Sequence, residues 1–156
     1  MQPAISHCYG AGLINRTKEL FKRVAAASAI TSAMAFTLML LVGPSLAEVF
    51  VKPDNEALLA MSVTAIRIFS FSYLVGWVDS SFSSLFTALD RPARSTVAAA
   101  FGTLVFPISS LFLLTPMLGL NGIWLTAPVS AFASAVLALV LAKTMKLDAA
   151  GIDATA

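Results

Sequence analysis

An acidic side chain inside an apolar stretch is the residue of this sequence best placed to do chemistry. Asp79 lies within the apolar residues 57–89, about 15 Å along a helix from the end of that stretch. An acid near the centre of a bilayer costs roughly 2.5–3.5 kcal/mol. Small and polar residues accompany it along the same stretch: Ser72, Gly76, Ser80, Ser83 and Thr87. We therefore expect the carboxyl group to point into a helix bundle or a wet cavity.

Two interpretations of Asp79 are open. A carboxylate with hydroxyl groups nearby can bind a hard cation or exchange a proton, so Asp79 is a candidate ion site with Ser80 and Ser83 as neighbours. Alternatively, it makes a structural hydrogen bond to a polar group on another helix. We favour the ion site because ionisable residues within membrane segments are most often functional.

Other candidates for chemistry are weaker. Arg67 lies near the end of its apolar stretch, where its stem can extend to the headgroups. His7 and Cys8 form an isolated pair, and a single cysteine excludes a disulfide or paired-thiol metal site within the chain. The sequence contains no Ser/His/Asp, Walker or zinc pattern. We therefore predict no enzyme and no cofactor beyond an ion.

The elements that position Asp79 follow from composition. Hydrophobic residues make up 58% of the chain and charged residues 12%, with a mean hydropathy of +0.88; soluble domains carry about 25% charged residues. Four apolar stretches, 24–46, 57–89, 95–114 and 123–142, are long enough to cross a bilayer. Since backbone groups in lipid must bond to one another, these stretches must be helices. The predicted fold is an all-α polytopic membrane helix bundle.

Basic residues predict the orientation of these spans. Eight of the ten fall before the first, between the second and third, or after the fourth: Arg16, Lys18, Lys22, Arg23, Arg91, Arg94, Lys143 and Lys146. Lys52 is the only one in the connections on the opposite side. Lys and Arg accumulate on the cytoplasmic side, which predicts both termini in the cytoplasm. The membrane that we expect is the plasma (bacterial inner) membrane. The expected partners are membrane lipids, and nucleic acid is not expected.

The chain divides into four parts on this basis. Residues 1–10 are predicted as the end of a preceding transmembrane helix and 11–23 as a cytoplasmic basic segment. Residues 24–146 form the four-span bundle, with an outer loop at 48–56 and an apolar turn at 115–122. A cytoplasmic tail follows at 147–156. The fourth span carries a stripe of small residues that predicts close helix packing: Gly122, Thr126, Ser130, Ser134, Ala138 and Ala142.

Several short motifs, in order along the chain, resemble one transporter family. They are Gln2-Pro3, Tyr9-Gly10-Ala11 and Arg16; Ile66-Arg67-Ile68; Phe86–Pro92; Gly119–Trp124; and Pro128. Together they resemble the end of helix eight and helices nine to twelve of MATE (multidrug and toxic compound extrusion) transporters, which belong to the MOP superfamily. The resemblance covers almost the whole chain.

The resemblance implies a function. MATE transporters have two six-helix lobes and export drugs or organic cations in exchange for Na⁺ or H⁺. Asp79 falls where NorM-type members carry an acid of their cation site. This chain would be the C-terminal part of such a transporter, as a fragment or one piece of a split pump. The N-terminal lobe would lie in the same or a separate chain, and the substrates would be small cationic or amphiphilic molecules.

The sequence departs from the family at two positions. Phe101 stands where many bacterial members have arginine, and Ala131 where an acid often follows the proline of the last helix.

Two alternative functions also stay open. A flippase of the same superfamily would need cavity-facing cations, of which the spans offer only Arg67. A four-helix accessory protein without transport activity would fit the small-residue stripe equally well.

Overall fold

Helices form the regular structure of this chain. The computed structural model describes residues 2–51 and 55–144, and within these ranges it contains no strand. The helices are α1 (Gln2–Gly10), α2 (Ile14–Phe50), α3 (Glu56–Ala88), α4 (Pro92–Ala100), α5 (Phe106–Leu118) and α6 (Leu120–Lys143). A five-residue π-helical segment, Phe101–Val105, joins α4 to α5 and is called the π turn below. Four rods are long and apolar enough to span a membrane: α2, α3, Pro92–Leu118 and α6. The predicted all-α membrane bundle is thereby confirmed.

Helix α2 is longer than the span predicted within it. It begins at Ile14, so most of the basic segment predicted at 11–23 continues into the span without a break. An ion pair one helical turn apart, Arg23 to Glu19 at 2.5 Å, stabilises this extension. At the other end α2 passes through Pro44 and stops at Phe50. Of the predicted outer loop, Lys52, Pro53 and Asp54 lie outside the described residues, as do Lys146 and the tail at 147–156.

The connection between α5 and α6 is shorter than the predicted turn at 115–122. Helix α5 continues through Thr115 and Pro116 to Leu118, and α6 begins at Leu120. Gly119 alone reverses the chain, with a φ of 57° that glycine adopts without strain. Its N–H donates to the Thr115 carbonyl at 2.9 Å, which closes the last turn of α5.

One end of the bundle collects the basic residues. There, an apolar cluster joins α1, the start of α2 and the end of α3: Ile5, Leu85, Ala88 and Leu89, with Tyr9, Leu20, Phe21 and Phe82 packed against it. On the other flank Arg94 donates to the Leu141 carbonyl at 3.1 Å, so the start of α4 lies beside the end of α6. The alternating directions of the four rods therefore place Arg16–Arg23, Arg91, Arg94 and Lys143 at the same end.

The small-residue stripe of α6 faces the bundle. Gly122, Ser130, Ser134 and Ala138 are buried, which confirms that this face packs against other helices. A methyl group on Gly122 would overlap the Leu114 carbonyl of α5, so these two helices meet at backbone distance. Large apolar side chains point outward instead, as expected beside lipid tails: Met34, Leu38, Leu41, Phe112, Leu113 and Phe132 are all more than half exposed.

Candidate functional site

The Asp79 carboxyl group lies where α3 meets the π turn and α6. A methyl carbon built on Gly102 of the π turn would lie 3.1 Å from Asp79 Oδ2. The same point is 3.3 Å from Ser134 Oγ on α6. Residues from three separate helical segments therefore converge on one small space. The predicted inward direction of the carboxyl group is confirmed.

One oxygen of this carboxyl group has no protein partner in the described part of the chain. Asp79 Oδ1 is buried and makes no hydrogen bond to residues 2–51 or 55–144. A buried polar atom without a partner carries a desolvation cost that a hydrogen bond or a bound ion would offset. The described residues therefore supply no partner for the structural hydrogen bond that was the alternative role of Asp79.

The π turn follows from a proline in the sequence. Pro107 has no N–H, so a regular helix would lose one backbone hydrogen bond there, and local π geometry is one adjustment that membrane helices make. In the π turn the Phe106 N–H bonds to the Phe101 carbonyl, five residues earlier. This wider turn includes Gly102, whose missing side chain leaves the space in front of Asp79.

Ser134 presents an oxygen atom to the same space. Its hydroxyl group donates to the Ser130 carbonyl at 2.8 Å and is only 4% exposed. Since the proton is used in this bond, the lone pairs of Oγ are available to accept a hydrogen bond or to bind a cation. The sequence analysis assigned Ser134 to helix packing as part of the small-residue stripe. Its hydroxyl group was the one signal that could have marked it as a site residue.

The two predicted neighbours of Asp79 lie in different surroundings. Ser80 is exposed on a groove of α3. Ser83 Oγ lies 3.5 Å from Ser95 Oγ, which in turn lies 2.7 Å from Thr87 Oγ1. This hydroxyl cluster joins α3 to α4 near the basic end. Neither serine forms a hydrogen bond with Asp79 in the part of the chain that the structure describes.

The groove runs along the bundle between α2 and α6, with α3 as its floor. Its volume is about 800 Å³. Tyr73 and Trp77 supply aromatic surface, and six hydroxyl side chains supply polar contacts: Ser28, Thr31, Ser32, Ser72, Ser80 and Ser130. No Lys or Arg lies among the described residues that line it. Ser130 links the groove to the Asp79 side, since its carbonyl accepts the hydrogen bond from Ser134.

The remaining candidates do not join this site. Arg67 and His7 are exposed, and Cys8 lines a separate small cavity with Arg16 and Glu19. Helix α6 continues through Pro128. Across the described ranges no group of three or more His, Cys, Asp or Glu side chains comes together. A carboxyl group beside the Ser134 hydroxyl group is the chemistry that these residues assemble.

The four membrane-length helices found within residues 2–51 and 55–144 define the chain as a polytopic α-helical membrane protein. The MatE family model matches residues 1–113, and the chain belongs to that family. Its fold is similar to a solved structure described as the outward-facing conformation of a multidrug resistance MATE family transporter of the MOP superfamily. The TM-score is 0.82 at 14% identity, over 92% of this chain and 32% of that one. This chain thus spans about a third of that structure's length, and no curated protein matches it.

Proposed function

We propose that this chain is the C-terminal part of a MATE-type secondary transporter that exports drugs or organic cations by antiport with Na⁺ or H⁺. Asp79 binds the coupling ion. The observation that carries the proposal is the carboxyl group itself: it is enclosed by three helical segments of a MATE fold, and its Oδ1 has no hydrogen bond within the described ranges. A buried carboxylate that needs a cationic partner suits an ion that must bind and leave.

The groove supports a small amphiphilic substrate. Ligand pockets commonly enclose about 300–1,000 Å³, and this groove has a volume of about 800 Å³ with aromatic and hydroxyl surfaces. A pyrophosphate-bearing lipid would require cations in the groove, and its described lining carries none. The lining therefore favours drug or organic cation export over a flippase activity.

The remaining parts of the proposal concern topology and the rest of the transporter. The bundle lies in a bacterial inner membrane, with its basic end and both termini on the cytoplasmic side. An N-terminal lobe, in the same or a separate chain, completes the pathway, because alternating access takes place between two repeats. An immunoblot of native membranes with an antibody against residues 143–156 tests whether the two lobes belong to one chain. A single band far larger than 16.4 kDa places both lobes in one chain.

The decisive experiment replaces Asp79 by asparagine in the transporter as the cell makes it. Asp79→Asn keeps the size of the side chain and removes its charge, so we expect coupled export of a fluorescent organic cation to be abolished while membrane insertion persists. Export is measured as fluorescence loss from preloaded cells, with a Na⁺ or an H⁺ gradient imposed separately to identify the coupling ion.

The matched control is Asp90→Asn. Asp90 lies at the exposed turn after α3 with a φ of 53°, a conformation that asparagine tolerates well. We expect export to be retained in this variant. Normal export by Asp79→Asn would refute the assignment of Asp79 as the residue that binds the coupling ion.

A further inference from the structure

We infer that Gly102 and Ser134 complete the ion site of Asp79 and that together they bind Na⁺. In this site Ser134 supplies a neutral oxygen ligand, and Gly102 is a positioning residue that leaves room for the ion. The inference rests on the proposed function, because it assigns the remaining groups of the same coupling site.

The space in front of Gly102 carries the first step. The point that a methyl carbon would occupy there is 3.1 Å from Asp79 Oδ2 and 3.3 Å from Ser134 Oγ. Oxygen ligands of a hard cation such as Ca²⁺, which is close to Na⁺ in radius, lie roughly 2.3–2.6 Å away. A small approach of the two oxygens would therefore enclose an ion in this space. A methyl group would take up the same space and push the carboxyl group aside.

The hydrogen bonding of Ser134 carries the second step. Its proton is directed to the Ser130 carbonyl at 2.8 Å, so the lone pairs of Oγ are free for a ligand. Asp79 Oδ1 likewise has no partner within residues 2–51 and 55–144. A carboxylate and a hydroxyl oxygen that both lack donors suit a hard cation. The π turn adds to this, because such segments inside helices occur frequently at functional sites.

The ion site also lies one helical turn from the groove. Ser130 lines the groove, and its carbonyl holds the Ser134 hydroxyl. An ion that draws Ser134 Oγ toward Asp79 would therefore move a group bonded to the groove wall. This contact places ion and substrate on neighbouring turns of the same helix.

The test is chemical labelling of Asp79 in native membranes. Dicyclohexylcarbodiimide modifies carboxyl groups in apolar surroundings, and mass spectrometry of the peptide with Asp79 gives the labelled fraction. At fixed pH, Na⁺ should protect Asp79 while K⁺ at equal ionic strength should not. Each variant is compared by the Na⁺ concentration that gives half protection.

Gly102→Ala and Ser134→Ala are each expected to raise that concentration by about tenfold or more, the cost typical of changing groups around a bound metal. The thermal stability of Gly102→Ala is measured alongside, because the gain in helix propensity from alanine is set against the close contacts of its methyl group with Asp79 and Ser134. The control for the first is Gly10→Ala, where a methyl group would meet nothing within 4 Å. The control for the second is Ser110→Ala, a buried serine bonded to its own helix. Both controls should match the wild type.

The outcomes separate the two proposals. Absence of Na⁺ protection in the wild type, or protection unchanged in both variants, would overturn the inference even where Asp79→Asn abolishes export. Normal export by Asp79→Asn would overturn the proposed function instead. If Gly102→Ala fails to fold, the half-protection concentration of Ser134→Ala still decides the role of the hydroxyl group.

Discussion

The two flanks of α3 are packed in different ways. On one flank α6 buries Ser130, Ser134, Ala135 and Ala138 along its length, and its first turn buries Gly122 against α5. On the other, α2 buries Thr17 near one end and Gly43 and Ala47 near the other, and no residue between Thr17 and Gly43 is buried. The α6 flank holds the enclosed carboxyl group, and the α2 flank holds the open groove.

This difference indicates that one side of the bundle provides stability through close helix packing, whereas the other side leaves the groove open. Small residues let α5 and α6 approach closely, and this packing is the main attraction between helices in lipid. In the middle of α2, Ser32 and Phe36 contact α3 but no residue is buried, so most apolar side chains there depend on lipid or on further helices. The same substitution should therefore cost very different amounts on the two flanks.

The largest effect is expected at Gly122. A methyl group there would overlap the Leu114 carbonyl and lie 3.1 Å from the Thr115 nitrogen, both backbone atoms of α5. Backbone cannot rotate away, so Gly122→Ala should lower the free energy of unfolding by about 2–3 kcal/mol. Unfolding in detergent, followed by circular dichroism, measures the change.

Gly76→Ala is the control for this substitution on the groove. A methyl group at Gly76 would meet nothing within 4 Å, so the helix should keep its stability or gain up to about 1 kcal/mol. Equal losses at Gly122 and Gly76 would remove the distinction between the close α5–α6 packing and the open groove.

An intermediate effect is expected at Gly43, near the end of α2. A methyl group there would lie 2.5 Å from Ile66 Cγ2 on α3. Because a side chain can move where backbone cannot, Gly43→Ala should cost about 1–2 kcal/mol. In an Ile66→Ala background, which lacks Cγ2, the same change should cost less than about 0.5 kcal/mol, and a double-mutant cycle measures the coupling. Additive costs would mean that this contact does not hold α2.

The sequence predicted the spans better than the site. Apolar length identified four membrane helices, since it depends only on composition along the chain. The polar surroundings of Asp79 correctly indicated that its carboxyl group points inward. Ser80 follows Asp79 directly, about 100° around the helix, so helical geometry turns it toward the groove and away from the carboxyl group. The position of Ser134 beside Asp79 was not predicted, because it depends on how α3 and α6 meet.

The π turn shows a second limit of sequence reasoning. Pro107 removes one backbone N–H from its helix, and a helix accommodates that loss by a kink, a water molecule or a wider turn. The wider turn is what brings Gly102 to Asp79. The positions of Gly102 and Asp79 in the sequence do not predict that they meet, because the contact depends on the one extra residue in the π turn.

The smallest effect is expected at Ser32, in the middle of α2. Its hydroxyl group donates to the Tyr73 carbonyl of α3 and is one of the few polar contacts across this flank. Hydrogen bonds between membrane helices average about 0.6 kcal/mol, so Ser32→Ala should lower stability by about that amount. Thr37→Ala is the control, because Thr37 bonds to Ala33 of its own helix and is exposed. This control substitution should cause no measurable change in stability.

A cost above about 1.5 kcal/mol at Ser32 would mean that α2 is held as firmly in its middle as α6 is. The groove would then be a rigid cleft, whereas a small cost leaves its α2 wall free to move.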